Sequence, residues 1–258
     1  MDLPSNHFKR ALLQGRQQIG LWCFLASHVS TEIVAGSGFD WLLLDCEHAP
    51  NDLPQIHSQL QAVMEHRVHP IVRPPWNDHV VIKRLLDLGV QTLLIPVVQT
   101  AEEAAAAVAA TRYPPNGVRG FSGGSRSSRF GRIKDYHSRC EAEICVLVQV
   151  ETQLGLDNLD AITQVEGVDG VFIGPGDLAA AIGYLGRHGD PHVQGVIVDA
   201  VKRIRALGKP AGILTTDETL ARTYIEAGTL FTAVGSDSGL LAKQSDALAR
   251  RFKEAAHG

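Results

Sequence analysis

Residues 144–177 read ICVLVQVETQLGLDNLDAITQVEGVDGVFIGPGD. An apolar, β-branched run at Ile144–Val150 stops at Glu151, a segment of helical spacing fills Leu156–Val165, and a second apolar run at Gly170–Ile173 stops at Gly174-Pro175-Gly176-Asp177. Runs that are apolar throughout, without alternation, are what strands buried on both faces require. Strand, helix, strand predicts parallel neighbours, because parallel pairing needs a crossover.

The same unit recurs on either side. Further apolar runs are Ile19–Phe24, Trp41–Asp45, His69–Arg73, Thr92–Val97, Pro210–Leu214 and Phe231–Val234. The segments Thr31–Ser37, Leu53–Glu65, Val80–Leu88, Ala101–Thr111, Gln194–Leu207, Glu218–Ala227 and Leu240–Ala255 carry helical spacing or composition. Strand then helix, eight times over in 258 residues, predicts the α/β class and a (β/α)8 barrel spanning residues 1–258 as one domain. An open doubly wound sheet would carry its GxGxxG turn after the first strand, and none follows Phe24. The stretch Pro114–Arg132, rich in Gly, Ser and Arg, reads as a long βα loop of the kind that often carries function.

Composition narrows the partners. With 24 basic against 28 acidic side chains and no Lys/Arg run, nucleic acid is excluded as the main partner. No apolar stretch reaches the ~18 residues of a membrane span, and Met1–His7 lacks the basic start of a signal peptide. Cys23, Cys46, Cys140 and Cys145 form no CxxC pair, which fits a reducing, cytoplasmic setting. Small molecules are the expected ligands.

In a parallel barrel the chemistry lies at the C-terminal strand ends. There the chain places Asp45-Cys46-Glu47-His48, Arg73, Gln149 with Glu151, Gly174–Asp177 and Gly235-Ser236-Asp237. Glu151 and Asp177 close neighbouring strands and suit one hard cation with water completing its shell, Mg²⁺ or Mn²⁺; Asp177 equally fits a plain helix-start acid. Gly174-Pro175-Gly176-Asp177 opens a helix whose N–H groups suit an anion, or is a tight turn with no ligand. Arg73 is either a counter-ion to the acids or a fork for a carboxylate or developing oxyanion. His48 is placed for proton transfer or is an exposed loop histidine. Asp87 would orient His48 or is simply solvated. Asp45 and Glu47 flank these groups and would support them. A Schiff-base mechanism needs a strand-end lysine, and the one lysine bordering a strand, Lys209, precedes the seventh at the wrong end. Walker and HExxH motifs are absent.

Taken together, Asp45-Cys46-Glu47-His48-Ala49-Pro50-Asn51, Val72-Arg73, Arg112-Tyr113-Pro114-Pro115-Asn116-Gly117-Val118-Arg119-Gly120, Gln149-Val150-Glu151-Thr152 and Gly170–Leu178 resemble the metal-dependent class II pyruvate aldolase family. That family is typified by 4-hydroxy-2-oxoheptanedioate aldolase and includes 2-keto-3-deoxy-L-rhamnonate aldolase. The resemblance runs through most of the chain. It implies a (β/α)8 barrel, a homohexamer that exchanges its C-terminal helix, and reversible cleavage of a 4-hydroxy-2-oxo acid to an aldehyde and pyruvate or hydroxypyruvate. It also implies a divalent cation (Mg²⁺, Mn²⁺ or, similarly, Co²⁺) and no organic cofactor. By matching motif, Glu151 and Asp177 would be metal ligands, His48 the base, Arg73 the oxyanion stabiliser and Asp87 the support of His48. Gln149, Gly174, Pro175, Gly176 and Asp177 would contact substrate. Two alternatives stand beside this reading: an acyl-CoA or carboxylate lyase using a basic groove at Arg119, Arg126, Arg129 and Arg132, and a non-catalytic 2-oxo acid binding protein.

Overall fold

The computed structural model describes residues 1–254. Eight parallel strands close into a barrel in sequential order: β1 Gln18–Cys23, β2 Trp41–Asp45, β3 His69–Arg73, β4 Thr92–Ile95, β5 Cys145–Val150, β6 Gly170–Ile173, β7 Ala211–Leu214 and β8 Thr229–Ser236. Ahead of β1 stands α1 (His7–Leu13), and α2 (His28–Ala35), α3 (Leu53–Ala62), α4 (His79–Asp87) and α5 (Ala101–Thr111) follow β1 to β4 in turn. A short α6 (Tyr136–Arg139) precedes β5, and α7 (Gln153–Asp157) with α8 (Leu159–Gln164) follows it. The outer layer closes with α9 (Pro175–Ala181), α10 (Pro191–Ala206), α11 (Glu218–Ala227) and α12 (Asp237–Glu254). Ala255, the expected end of the last helix, lies outside the described residues.

All eight expected strands form, β2, β3 and β6 with the expected bounds. The single helix expected at Leu156–Val165 is instead two, meeting at Asn158, whose Nδ2 donates to Gln99 O at 2.9 Å. An amide side chain that bonds backbone elsewhere interrupts a helix in this way. The segment Pro114–Arg132 follows α5 and precedes β5. It is therefore an αβ connection at the N-terminal side of the strands, not the βα loop expected, and it does not border its own barrel's mouth. Helical composition in Ala101–Thr111 was the clue to this: the helix of that unit is complete before the loop begins.

Strand alternation sorts the core. Leu42 and Leu44, with Val146, Val148 and Val150, face the helices. Trp41 and Leu43, Ile71, Cys145 and Leu147 face the barrel interior with Trp22, Leu94, Phe172 and Phe231. Side chains two apart share a face, so Asp45, Arg73, Gln149 and Glu151 continue the interior rows at their C-terminal ends. This is what collects the polar groups in one place.

The opposite end is plugged by α1, which the sequence reading did not anticipate because seven residues carry too little periodicity. Asn6 caps it by accepting from Lys9 N at 2.8 Å. Phe8 stacks on His69 with centroids 5.6 Å apart and meets Trp41 and Phe231 edge-on at 6.1 and 6.0 Å. Burial, with His7 adding, pushes the His69 imidazole down to about 3, so the ring under Phe8 is neutral.

Aromatic filling requires matching holes. A Cβ on Gly212 would overlap the Phe231 ring, whereas one on Gly195, exposed inside α10, meets nothing within 4 Å. Gly212→Ala is expected to lower unfolding free energy by about 1–3 kcal/mol through overpacking, and Gly195→Ala to raise it by about 0.5–1 kcal/mol. Urea denaturation of the two variants beside the wild type checks both signs.

Candidate active site

The centre of the mouth is Asp45, fully buried at the end of β2. β2 and β3 are in register with Asp45 opposite Arg73, and the guanidinium grips the carboxylate with two hydrogen bonds, Nε to Oδ1 at 2.9 Å and Nη2 to Oδ2 at 2.5 Å. Trp22 Nε1 donates to Oδ2 at 3.1 Å and its ring lies under the Arg73 guanidinium at 5.1 Å. Oδ1 also accepts from Glu47 N at 2.9 Å and His48 N at 3.4 Å, which folds the loop after β2 back on the strand. Burial alone would raise the Asp45 carboxyl, but the hydrogen bonds and charge of Arg73 outweigh it and hold the group below its ordinary value. Asn51 anchors the same loop by donating to Asp45 O at 2.6 Å while accepting from Gln59 Nε2 at 2.6 Å.

Arg73 Nη1 lies 2.8 Å from Glu47 Oε2, an ion pair that lacks hydrogen-bond alignment and so leaves Oε2 without a donor. These contacts do not exhaust the five N–H groups of an arginine. His48 sits on the rim, its side chain 59% exposed, with Nε2 3.9 Å from Glu47 Oε2. It is therefore reachable from solvent and near the acid cluster.

Across the barrel, Glu151 is buried at the end of β5. Gln149 Nε2 donates to its Oε2 at 2.5 Å and Val97 N to its Oε1 at 3.0 Å. Gly174 must be glycine here: a Cβ would run into Glu151 Oε2 and stand 2.8 Å from Glu151 Cβ and 3.0 Å from Gln149 Nε2. Burial pushes Glu151 up to about 7, Gln149 opposing and the charges of Glu47 and Asp177 reinforcing the shift. Glu47 is likewise raised, by burial first and against the pull of Arg73. Asp177 occupies the first turn of α9 and is exposed.

This donor set fits a divalent cation. Three carboxylates, Glu47, Glu151 and Asp177, act on one another electrostatically while Arg73 is the cation paired with Glu47. Gln149 Oε1 and Glu47 Oε2 are buried oxygens without hydrogen-bond partners, and hard oxygen donors with excess negative charge are what Mg²⁺ and Mn²⁺ take. Among the described residues no group of three or more His, Cys, Asp or Glu is arranged to hold a metal, so much of any ion's shell would come from water or ligand.

Asp87 is not brought to this site within one chain. It closes α4, and its ion-pair partner is Arg119 at 3.3 Å rather than His48. A nine-residue helix leaving the end of β3 carries its last residue ~13 Å toward the other end of the barrel. Arg119 itself is fully buried, its guanidinium 4.6 Å from the Tyr113 ring centroid. It cannot line the basic groove that an acyl-CoA lyase would need. Lys209 donates to Val168 O at 2.6 Å, beside the start of β7 and away from the mouth. Trp22 and the Val97 amide were not foreseen; the position of Trp22 one residue before the end of β1 was a usable signal, and a backbone N–H has none.

Residues 18–244 match the HpcH/HpaI aldolase/citrate lyase family. A protein of Rhizobium etli named pyruvate aldolase is 59% identical over 98% of this chain and 99% of its own length. One of Klebsiella pneumoniae named 4-hydroxy-2-oxo-heptane-1,7-dioate aldolase is 55% identical over 96% of this chain and 94% of its own. The crystal structure of a HpcH/HpaI aldolase/citrate lyase family protein from Burkholderia cenocepacia superposes with a TM-score of 0.93 at 36% identity, covering 96% of this chain and all of that one. Members of the family are lyases that generally depend on a divalent metal. With the barrel, the strand-end acids and matches that span most of its length, the chain belongs to the HpcH/HpaI aldolase/citrate lyase family.

Proposed function

We propose that the chain is a cytoplasmic aldolase, a carbon–carbon lyase that reversibly cleaves a 4-hydroxy-2-oxo acid to an aldehyde and pyruvate, or hydroxypyruvate. The observation that carries the reading is the gathering of Glu47 and Glu151 with the Asp45–Arg73 pair at the strand ends, with Asp177 in the first turn of α9, while among the described residues the strand-bordering lysine, Lys209, is bonded to Val168 O away from this mouth. The names of the relatives support the substrate class.

Glu151 and Asp177 would hold the cation, Mg²⁺ or Mn²⁺ with Co²⁺ as a substitute. When bound, it supplies Lewis-acid charge that favours the enolate of a 2-oxo acid over the keto form. Gln149 and the Gly174-Pro175-Gly176 turn with Asp177 hold the carboxylate end of the substrate. His48 takes the 4-hydroxyl proton, directly or through a water, as the C3–C4 bond breaks and the aldehyde departs. The remaining N–H groups of Arg73 stabilise the negative charge left on the 2-oxo oxygen. In synthesis the same base system removes a proton from C3 of pyruvate. Asp45 and Glu47 keep Arg73 and the His48 loop in place.

Asp87 supports a His48 that belongs to another copy of the chain. Its carboxylate is a quarter exposed on the face opposite its own barrel's mouth, and α12 presents Leu240, Leu241, Leu248 and Phe252 to solvent. Both features fit a homo-oligomer, a hexamer with exchanged C-terminal helices, in which one subunit's α4 end meets its neighbour's mouth. Isologous or ring contacts of this kind place the same residue at every equivalent site.

Four measurements test these assignments. After chelator treatment, the methyl protons of pyruvate should exchange in D₂O only when Mn²⁺ or Mg²⁺ is restored, followed by NMR. Pyruvate and hydroxypyruvate both inert with every metal would sink the aldolase, and binding without exchange would favour a 2-oxo acid binding protein. Next, since Glu151 keeps its proton up to about 7 whereas an ordinary glutamate loses it near 4.5, the unfolded chain releases a proton first in that window. The stability of the metal-free protein should therefore fall as pH rises from 4.5 to 7, and Glu151→Gln should flatten the slope. Metal must displace the same proton, so calorimetry should show affinity dropping about tenfold per pH unit below 7. Lastly, His48→Ala and Asp87→Asn chains, each inactive alone, should regain about a quarter of wild-type activity when refolded together, the chance that random pairing unites both intact groups; no recovery would place Asp87 outside the site.

A further inference from the structure

β4 and β5 pair in register from Thr92 opposite Cys145 to Ile95 opposite Val148. The ladder then lapses for Pro96 and Val97 and resumes where Val98 N–H donates to Gln149 O at 2.9 Å. Pro96 has no N–H to offer. Val97 is turned into the left-handed region at φ +52°, a conformation that a β-branched side chain rarely adopts. The turn aims the Val97 N–H out of the ladder and at Glu151 Oε1, 3.0 Å away, while Gln149 holds Oε2.

The backbone just beyond is pinned from the β5 side. Thr152 Oγ1 donates to Gln99 Oε1 at 3.1 Å and Asn158 Nδ2 to Gln99 O at 2.9 Å. Strained residues persist where their surroundings over-determine them, and irregular strand ends beside sites re-aim a group. We infer that Val97 is a positioning residue: its left-handed backbone holds the Glu151 carboxylate in a single orientation toward the cation. The inference rests on Glu151 being a metal ligand. A regular strand residue in its place would direct the N–H into the ladder and leave Oε1 without a donor.

The test removes the N–H by installing the ester analogue of Val97, α-hydroxyisovaleric acid, through nonsense suppression in the full chain; the weaker Pro96 carbonyl that the ester brings is common to both Glu151 backgrounds. Without metal, the ester should lower the melting temperature when Glu151 is present and leave it unchanged in a Glu151→Ala background; an equal loss in both would overturn the inference. With Glu151 present, the ester should weaken Mn²⁺ binding about tenfold, the worth of one hydrogen bond to a charged group. Val97→Gly keeps the N–H and relieves the backbone, so it should bind Mn²⁺ as the wild type does and melt no lower. A glycine variant that lost as much affinity as the ester would assign the effect to the side chain and also overturn the inference. If the wild type bound no Mn²⁺, the ligand assignment would fail, and the metal-free melting cycle would by itself decide whether Val97 positions Glu151.

Discussion

The mouth of the barrel is organised around one buried ion pair, Asp45 with Arg73. Two adjacent strands in register bring a carboxylate and a guanidinium face to face at the point where the interior rows run out of apolar residues. Such a pair contributes little net stability, because desolvating both charges offsets most of their attraction. Losing one partner is another matter, since the remaining charge is stranded at a cost of about 3–5 kcal/mol. What the pair supplies is geometry. Every donor that Asp45 accepts from, on Trp22, Arg73, Glu47 and His48, is thereby given a fixed place.

Environment then separates carboxylates of ordinary chemistry into different states. Asp45, saturated with donors, is held ionised; Glu47, half-buried, and Glu151, buried, have fewer donors, face other acids and hold their protons more tightly. Groups pushed apart in this way mark a division of labour. The ionised member is structural, and the members that resist ionisation are those whose charge becomes tolerable once positive charge arrives.

How much of this the sequence disclosed follows from what each feature depends on. Strands buried on both faces are apolar throughout, so all eight were legible from composition, and their C-terminal ends yielded Asp45, Arg73, Gln149 and Glu151 directly. Features that depend on the path between elements were not. The Pro114–Arg132 loop looked functional by composition, but the side of the barrel it occupies depends on whether a helix or a strand precedes it, and α5 does. Asp87 matched a motif, yet helix length carries it away from the histidine it was expected to orient. Backbone donors such as that of Val97 are invisible to any reading of side chains.

The plug at the barrel's base bears on the order in which the molecule is made. Phe8 packs on Phe231, and β1 closes the sheet against β8, so contacts of α1 and β1 are completed only once β8 has been made. Domains otherwise begin to fold from the N-terminus as the chain is synthesised. Here β1 emerges with one edge unpaired and its aromatic base uncovered, and it stays so until β8 has been made. Closure is a long-range event, slow by topology, and until β8 arrives the unpaired edge of β1 is open to pairing with another chain.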